Sequence, residues 1–376
     1  MVSVDRSCLS SPCCRVRPSL SLPSDFKDQV LTGNCRVWLT LIIAVVDRIR
    51  IPMPDNGLQE ILRSYAAPND THPAIPTWAQ GFSNDVVPVQ CHSHNDYWHR
   101  VPLYEGLAAG CVSTEADIWV GSTTNGHADL FIGHDRRSLS PSRTLQSLYL
   151  RPLSDILTQQ NSASSDYLSS LADAPGSVPS WPVGVFTTAP NVSLVLLLDF
   201  KTTSNATWDT LIEQLDTLRG KGWLTFWTPT EGIVERPLTI VASGAAPFDA
   251  IIRNVTYRDV FYDSPLTQLS DVNMPFSSNN SYYASVSLQE AVGRMVFPNI
   301  KGGQRSRVAQ QVKRARELGL KSRYWDTPSW PIGWRNRIWG FLIEEGVSML
   351  NLDDLTAGAR WDWQMCIIGG LNICNS

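Results

Sequence analysis

Histidine is scarce in this chain, with 6 residues among 376. Charge is also sparse, at 18%, and 31 basic against 35 acidic residues give a formal net charge of -4. No global positive field therefore attracts nucleic acid, and any phosphate bound here must be held by a local site. The 8 cysteines, at 8, 13, 14, 35, 91, 111, 366 and 374, form no CxxC pair and no zinc-like spacing. Cys91 and Cys111 sit inside apolar runs and read as buried small hydrophobes, while Cys366 and Cys374 are close enough in sequence to bridge. Residues 1–36 show no sustained period, and the apolar run VWLTLIIAVV covers only 37–46. That is too short for a bilayer of roughly 30 Å. It reads as the core of a targeting segment, as a short interfacial helix offering membrane association, or as part of a poorly ordered extension.

What the chain does have is 43% hydrophobic residues over a length sufficient for one large core. After residue 85 short apolar, β-branched runs recur at 86–90, 112–120, 192–200, 238–243, 260–262, 284–288, 322–325 and 347–352. Between them lie amphipathic stretches. SNATWDTLIEQLDTLRGKG (204–222) has Ser204 or Asn205 as a cap and Trp208, Leu211, Ile212, Leu215 and Leu218 at helical spacing. QRSRVAQQVKRARELG (304–319) turns Val308, Val312 and Ala315 inward and stops at Gly319, and WRNRIWGFLIEEG (334–346) is a third helix. Apolar strands alternating with helices predict an α/β fold, a (β/α)8 TIM-type barrel over residues 85–362. A leader at 1–84 and a tail at 363–376 flank it. Residues 161–190, rich in Ser, Ala and Pro, read as a long loop, a lid over the site or an ordinary insertion.

In such a barrel, polar residues at the C-terminal strand ends define the site. The segment CHSHNDYWHR (91–100) concentrates His92, His94 and His99 there, beside Asn95 and Asp96. Glu115 and Asp117 share one face of the second strand, the hairpin DLFIGHDRR (129–137) delivers His134 and Asp135, and the third strand ends in Asp199 and Lys201. Asp326, Asp353 and Asp354 end the last two strands as rim or capping residues. Carboxylates inside apolar strands need a compensating cation. Glu115, Asp117 and Asp199 are oxygen ligands suited to Mg²⁺ or Ca²⁺. Histidines beside such an ion serve as general base and acid, Lys201 adds fixed positive charge, and Asp135 is placed to hold His134. Tyr97 and Trp325 read as headgroup-stacking rings or as buried aromatics.

CHSHNDYWHRVPLYEGLAAGCVSTEADIWV followed by LFIGHD and LLLDFK resembles the phospholipase C-like phosphodiesterase superfamily, which includes the glycerophosphodiester phosphodiesterases. RYWDTPSWP (323–331) and NLDDL (351–355) are more specifically similar to the fungal altered inheritance of mitochondria protein 6 family. The resemblance implies a metal-dependent phosphoric diester hydrolase, or a cyclising lyase, acting on a glycerophosphodiester or phospholipid-like substrate. It also implies catalytic His92 or His94, His134 and Lys201, with Asn95, Glu115, Asp117 and Asp199 as metal ligands. Ser93-His94-Asn95 resembles the phospholipase C motif more than the glycerophosphodiesterase one, which favours His94 with Asn95. The alternative is a silent barrel that binds a headgroup or a protein partner. Sequons at Asn69, Asn191, Asn205, Asn254 and Asn279 favour the secretory pathway or a membrane surface, with the mitochondrion as the alternative that the family name offers.

Overall fold

The structure, a computed structural model, describes residues 86–162, 182–295 and 299–359, with residues 38 and 83 and the strand pair 367–368 and 371–372 besides. Contacts divide the chain into Met1–Pro54 and Asp55–Ser376, and the barrel lies within the second unit. The apolar run at 37–46, apart from Trp38, the sequon at Asn69 and the remaining six cysteines lie outside the described residues. Among those described, no helix is long and apolar enough to cross a membrane.

Eight parallel strands close on themselves. They are β1 (Val89–Ser93), β2 (Cys111–Ser122), β4 (Leu194–Phe200), β7 (Leu238–Gly244), β8 (Val260–Pro265), β9 (Ser281–Ser287), β10 (Lys321–Trp325) and β11 (Met349–Leu352). Each pairs with the next, and β11 pairs back with β1, so the sheet has no open edge. This is the (β/α)8 barrel expected from the alternating pattern, with all eight strands where the apolar runs lie. β3 (Ala128–Ile132) pairs antiparallel with the outer half of β2, and β5 (Phe226–Thr228) with β6 (Gly232–Val234) forms a small separate hairpin.

The helices cover the barrel for the reason their sequences give. Ser204 caps the helix Asn205–Gln214 by accepting the Ala206 N–H, and Leu211, Leu215 and Leu218 are buried. The helix Gly302–Glu317 buries Val308, Val312 and Ala315, and Gly319 follows it at φ 72. Burying these faces against the strands forms the apolar shell between the two layers.

One sequence expectation is corrected. Cys91 and Cys111 are not free hydrophobes but a disulfide, with Cα atoms 4.6 Å apart on the adjacent strands β1 and β2. Of the loop at 161–190, residues 163–181 lie outside the described residues, and the described flanks do not border the barrel mouth. The helix Arg151–Gln160 carries the chain away from the end of β2, and Thr188 Oγ1 and Thr187 N bond Val86 O and Ser83 Oγ before β1 begins. These flanks therefore lie at the N-terminal end of the strands, opposite the site. Asn191, Asn205, Asn254 and Asn279 are exposed.

Candidate active site

Strand register builds the site. Glu115 and Asp117 project from one face of β2, and Asp117 is level with Asp199 on β4. The three carboxylates offer oxygens within 4.8 Å of one another. Gly244, at the end of β7, makes room for this. A Cβ there would stand 1.8 Å from Asp199 Oδ1, and its φ of +64 suits glycine. The β2–β3 hairpin is tied to the site where the Gly133 N–H donates to Asp117 O, which brings the neighbouring His134 to Asp117. Its Nδ1 lies 3.4 Å from Asp117 Oδ2, and its ring is half exposed.

The β1 end divides its histidines between two environments. His92 is completely buried, with Nδ1 2.7 Å from Ser113 Oγ and Nε2 3.3 Å from Glu115 Oε2. Burial, helped by the charge of Arg323, lowers its pKa to about 4, so the ring is neutral. The Ser113 hydroxyl then donates to Nδ1, while Nε2–H donates to Glu115. His94 reaches the surface. Its Nδ1 lies 2.6 Å from Asp353 Oδ1 and its Nε2 3.6 Å from Glu115 Oε2. Burial opposes protonation of His94, but the Asp353 hydrogen bond and the Glu115 charge raise its pKa above 6.5. Asn95 is left-handed at φ 48, which Asn tolerates, and its N–H donates to Glu115 Oε2 at 3.2 Å.

The carboxylates are unequal. Burial favours protonated Glu115, yet the His92 hydrogen bond and the charge of His94 outweigh it and hold the group well below the usual carboxylate range. Asp117 is raised by burial and by Glu115, with Lys201 offsetting part of this. Asp199 is pushed up to about 6, chiefly by burial, against the pull of Lys201. Lys201 Nζ lies 2.8 Å from Asp117 Oδ2 and 2.6 Å from Asp199 Oδ2. One ammonium does not satisfy the cluster, because Asp117 Oδ1 is buried with no hydrogen-bond partner among the described residues. Three converging carboxylates with an orphaned oxygen fit a hard divalent cation.

The remaining candidates divide by contact. Asp96 is sealed inside, accepting from Ser93 Oγ, Leu103 N and Tyr149 OH, and so braces the loop after β1. Asp135 does not hold His134. Its Oδ1 accepts the N–H groups of Arg137 and Ser138, closing the turn. Asp326 accepts from Ser287 Oγ, and Asp354 bonds Arg335 and the Ala357 N–H. Trp325 is 39% exposed rather than buried.

Sequence reasoning missed the polar use of Tyr97. Its ring is buried, and its hydroxyl lies 2.7 Å from both Asn95 Oδ1 and Asp117 Oδ2 and 3.3 Å from His134 Nδ1. Burial and Asp117 keep that hydroxyl protonated. Also missed was the buried group in which Arg323 binds Ser285, Asn351 and Asp263. The signal that revealed Glu115, a charge within an apolar strand, is equally present at Asp263 and Arg323.

The fold and these residues define the chain's class as a barrel carrying a phosphodiesterase-type domain, since the family described as "AIM6-like phosphodiesterase domain" matches residues 80–263. Altered inheritance of mitochondria protein 6 homolog of Arthroderma benhamiae is 34% identical over 315 residues, covering 81% of this chain and 93% of the relative. The proteins named altered inheritance of mitochondria protein 6 from Eremothecium gossypii and Saccharomyces cerevisiae are 34% and 33% identical, each match covering 73% of this chain and 70% of the relative. The chain belongs to the altered inheritance of mitochondria protein 6 family. A crystal structure of a glycerophosphoryl diester phosphodiesterase from Parabacteroides distasonis also matches, at 14% identity and a TM-score of 0.30, over 66% of this chain and 74% of that one.

Proposed function

We propose that this protein is a metal-dependent phosphoric diester hydrolase acting on a glycerophosphodiester or phospholipid-like substrate. The observation that carries this reading is the meeting of Glu115, Asp117 and Asp199 within 4.8 Å, with His94 against Glu115 and His134 against Asp117. Glu115, Asp117 and Asp199, with Asn95 beside them, would hold Mg²⁺ or Ca²⁺, which when bound supplies charge neutralisation for the phosphoryl oxygens.

The chain's own groups then divide the proton work. His94 donates Nδ1–H to Asp353, which leaves the Nε2 lone pair to take a proton from the attacking hydroxyl. His134 has Nδ1 beside Tyr97 and Asp117, and its Nε2 would deliver a proton to the leaving oxygen. His92, sealed from solvent, orients Glu115 and remains neutral. Lys201 holds Asp117 and Asp199 together and places positive charge beside the phosphate. Attack by water gives hydrolysis, and attack by a neighbouring substrate hydroxyl gives a cyclic phosphate.

Lys201 also supports a second reading. Its ammonium already partly neutralises two carboxylates, as a silent headgroup-binding barrel would require. Turnover of an aryl phosphodiester by the purified chain with Mg²⁺, with Ca²⁺ and with chelator separates the two. Cation-dependent release supports the hydrolase, and no release in any condition supports the silent barrel.

The Cys91–Cys111 disulfide and the exposed sequons support an oxidising, secretory location. The relatives' name supports the mitochondrial alternative.

A further inference from the structure

The large apolar side chains left in water are unevenly distributed. Trp98 is 61% exposed, Trp325 39%, Trp330 74% and Ile332 53%. All four lie at or after the C-terminal ends of strands. Trp98 closes the turn after β1, Trp325 ends β10, and Trp330 and Ile332 lie in the next segment. β11 stands between β1 and β10, and Asp353, the partner of His94, follows it. The Trp98 ring lies 5.3 Å from that of His134. Within the second unit the exposed tryptophans therefore flank the mouth that contains the carboxylates, whereas exposed Val87 and Val255 precede β1 and β8 at the other end and Val272, 98% exposed, lies in the segment between β8 and β9.

The charges on this rim are also uneven. Asp354 is ion-paired with Arg335 and Asp353 is hydrogen-bonded by His94, while Asp326 accepts from the uncharged Ser287 hydroxyl and Asp135 from backbone N–H groups. Arg100, Arg136 and Arg137 are exposed beside Trp98 and the β2–β3 hairpin, with no ion-paired acid among the described residues. Arg136 lies over the Trp119 ring at 5.1 Å. Tryptophan with arginine is the combination favoured at the boundary between lipid headgroups and acyl chains, because the ring buries its body there while the cation meets phosphate.

We propose that this rim docks on an anionic phospholipid surface, so that the substrate of the site is a membrane phospholipid rather than a soluble glycerophosphodiester. Docking places headgroups against buried carboxylates that a lipid could not otherwise reach without leaving the bilayer. The substrate assignment rests on the hydrolase reading, but the docking does not.

The test uses the full chain, so that residues 1–84 remain present in every sample. Co-sedimentation with phosphatidylcholine vesicles, with and without phosphatidylglycerol, is measured in chelator for the wild type and the double variant Trp330→Ser/Ile332→Ser, with thermal melting as the folding check. The expected result is binding that requires the anionic lipid and weakens about tenfold in the variant. With cation present, the ratio of vesicle-lipid turnover to soluble aryl diester turnover should fall by about the same factor. No wild-type binding, or equal binding by the variant, overturns the docking, even if the soluble diester is cleaved. Variant-sensitive binding with no turnover of either substrate keeps the docking and removes the hydrolase reading.

Discussion

His94 and Asp353 are 259 residues apart in the chain, yet their Nδ1 and Oδ1 atoms stand 2.6 Å apart, joined because β1 and β11 are neighbours in the closed barrel. Parallel pairing brings both strand ends to one rim, and a carboxylate against Nδ1 favours the His94 tautomer that carries its proton there.

Asp353→Asn tests that pairing. Burial alone would lower the His94 pKa, and the Asp353 hydrogen bond helps to raise it above 6.5. Without the carboxylate, the acidic limb of the pH profile of kcat/KM should move to lower pH, because His94 loses its proton sooner. The rate at the optimum should fall roughly 10- to 100-fold as the ring loses its orientation. A profile that keeps its limb would remove His94 as the base.

Asp199→Asn tests the charge balance of the cluster. A carboxyl raised to about 6 in the fold stabilises the protein below its unfolded value of 3.8, and this contribution is lost as pH rises through 6. At neutral pH in chelator the variant should therefore be more stable than the wild type by about 1–3 kcal/mol, allowing for partial exposure. Adding Mg²⁺ or Ca²⁺ at a hundred times its Kd should raise wild-type stability by about 2.7 kcal/mol, and the variant should gain much less. Thermal melting with and without cation reads both effects.

Buried His92 predicts an acid-sensitive fold. Its pKa of about 4 in the fold lies below 6.5, so the unfolded chain binds the extra proton between these values. Stability should decrease as pH falls from 6.5 to 4, by up to about 3 kcal/mol from this group. Denaturant unfolding of wild type and His92→Asn should show the difference between them narrowing as pH falls through that window.

The Cys91–Cys111 disulfide closes a loop with a sequence separation of 20. The double change Cys91→Ala/Cys111→Ala should lower unfolding free energy by about 3 kcal/mol in the chain-entropy account. Unfolding of the wild type with a reductant should approach that of the variant, measured by the same denaturant titration.

How much of this was legible in the sequence follows from the kind of interaction. Glu115, Asp117, Asp199 and Lys201 stood out because ionisable groups at the ends of apolar strands demand compensation, and strand alternation put each pair on one face. The eight strands were legible because helices cover the barrel and leave its strands apolar. The disulfide was not legible, because it depends on the register of β1 against β2, which shifts between Val89 and His92. The side of the barrel bordered by 182–190 depended on where the preceding helix returned the chain. Adjacency in the sequence pairs Asp135 with His134, but the local turn offers its carboxylate the Arg137 and Ser138 N–H groups. The polar contacts of Tyr97 and Arg323 require neighbours that only the closed barrel supplies.

Whether the cluster is a metal-dependent phosphodiesterase site is decided by measuring divalent-cation affinity and single-turnover phosphodiester cleavage together on His134→Ala. His134 is half exposed, and the proposed mechanism uses it as the proton donor rather than as a ligand. Cation affinity should stay within about threefold of wild type while cleavage falls by a factor of about 10²–10⁴. Cleavage equal to wild type, with the cation bound, would contradict that mechanism.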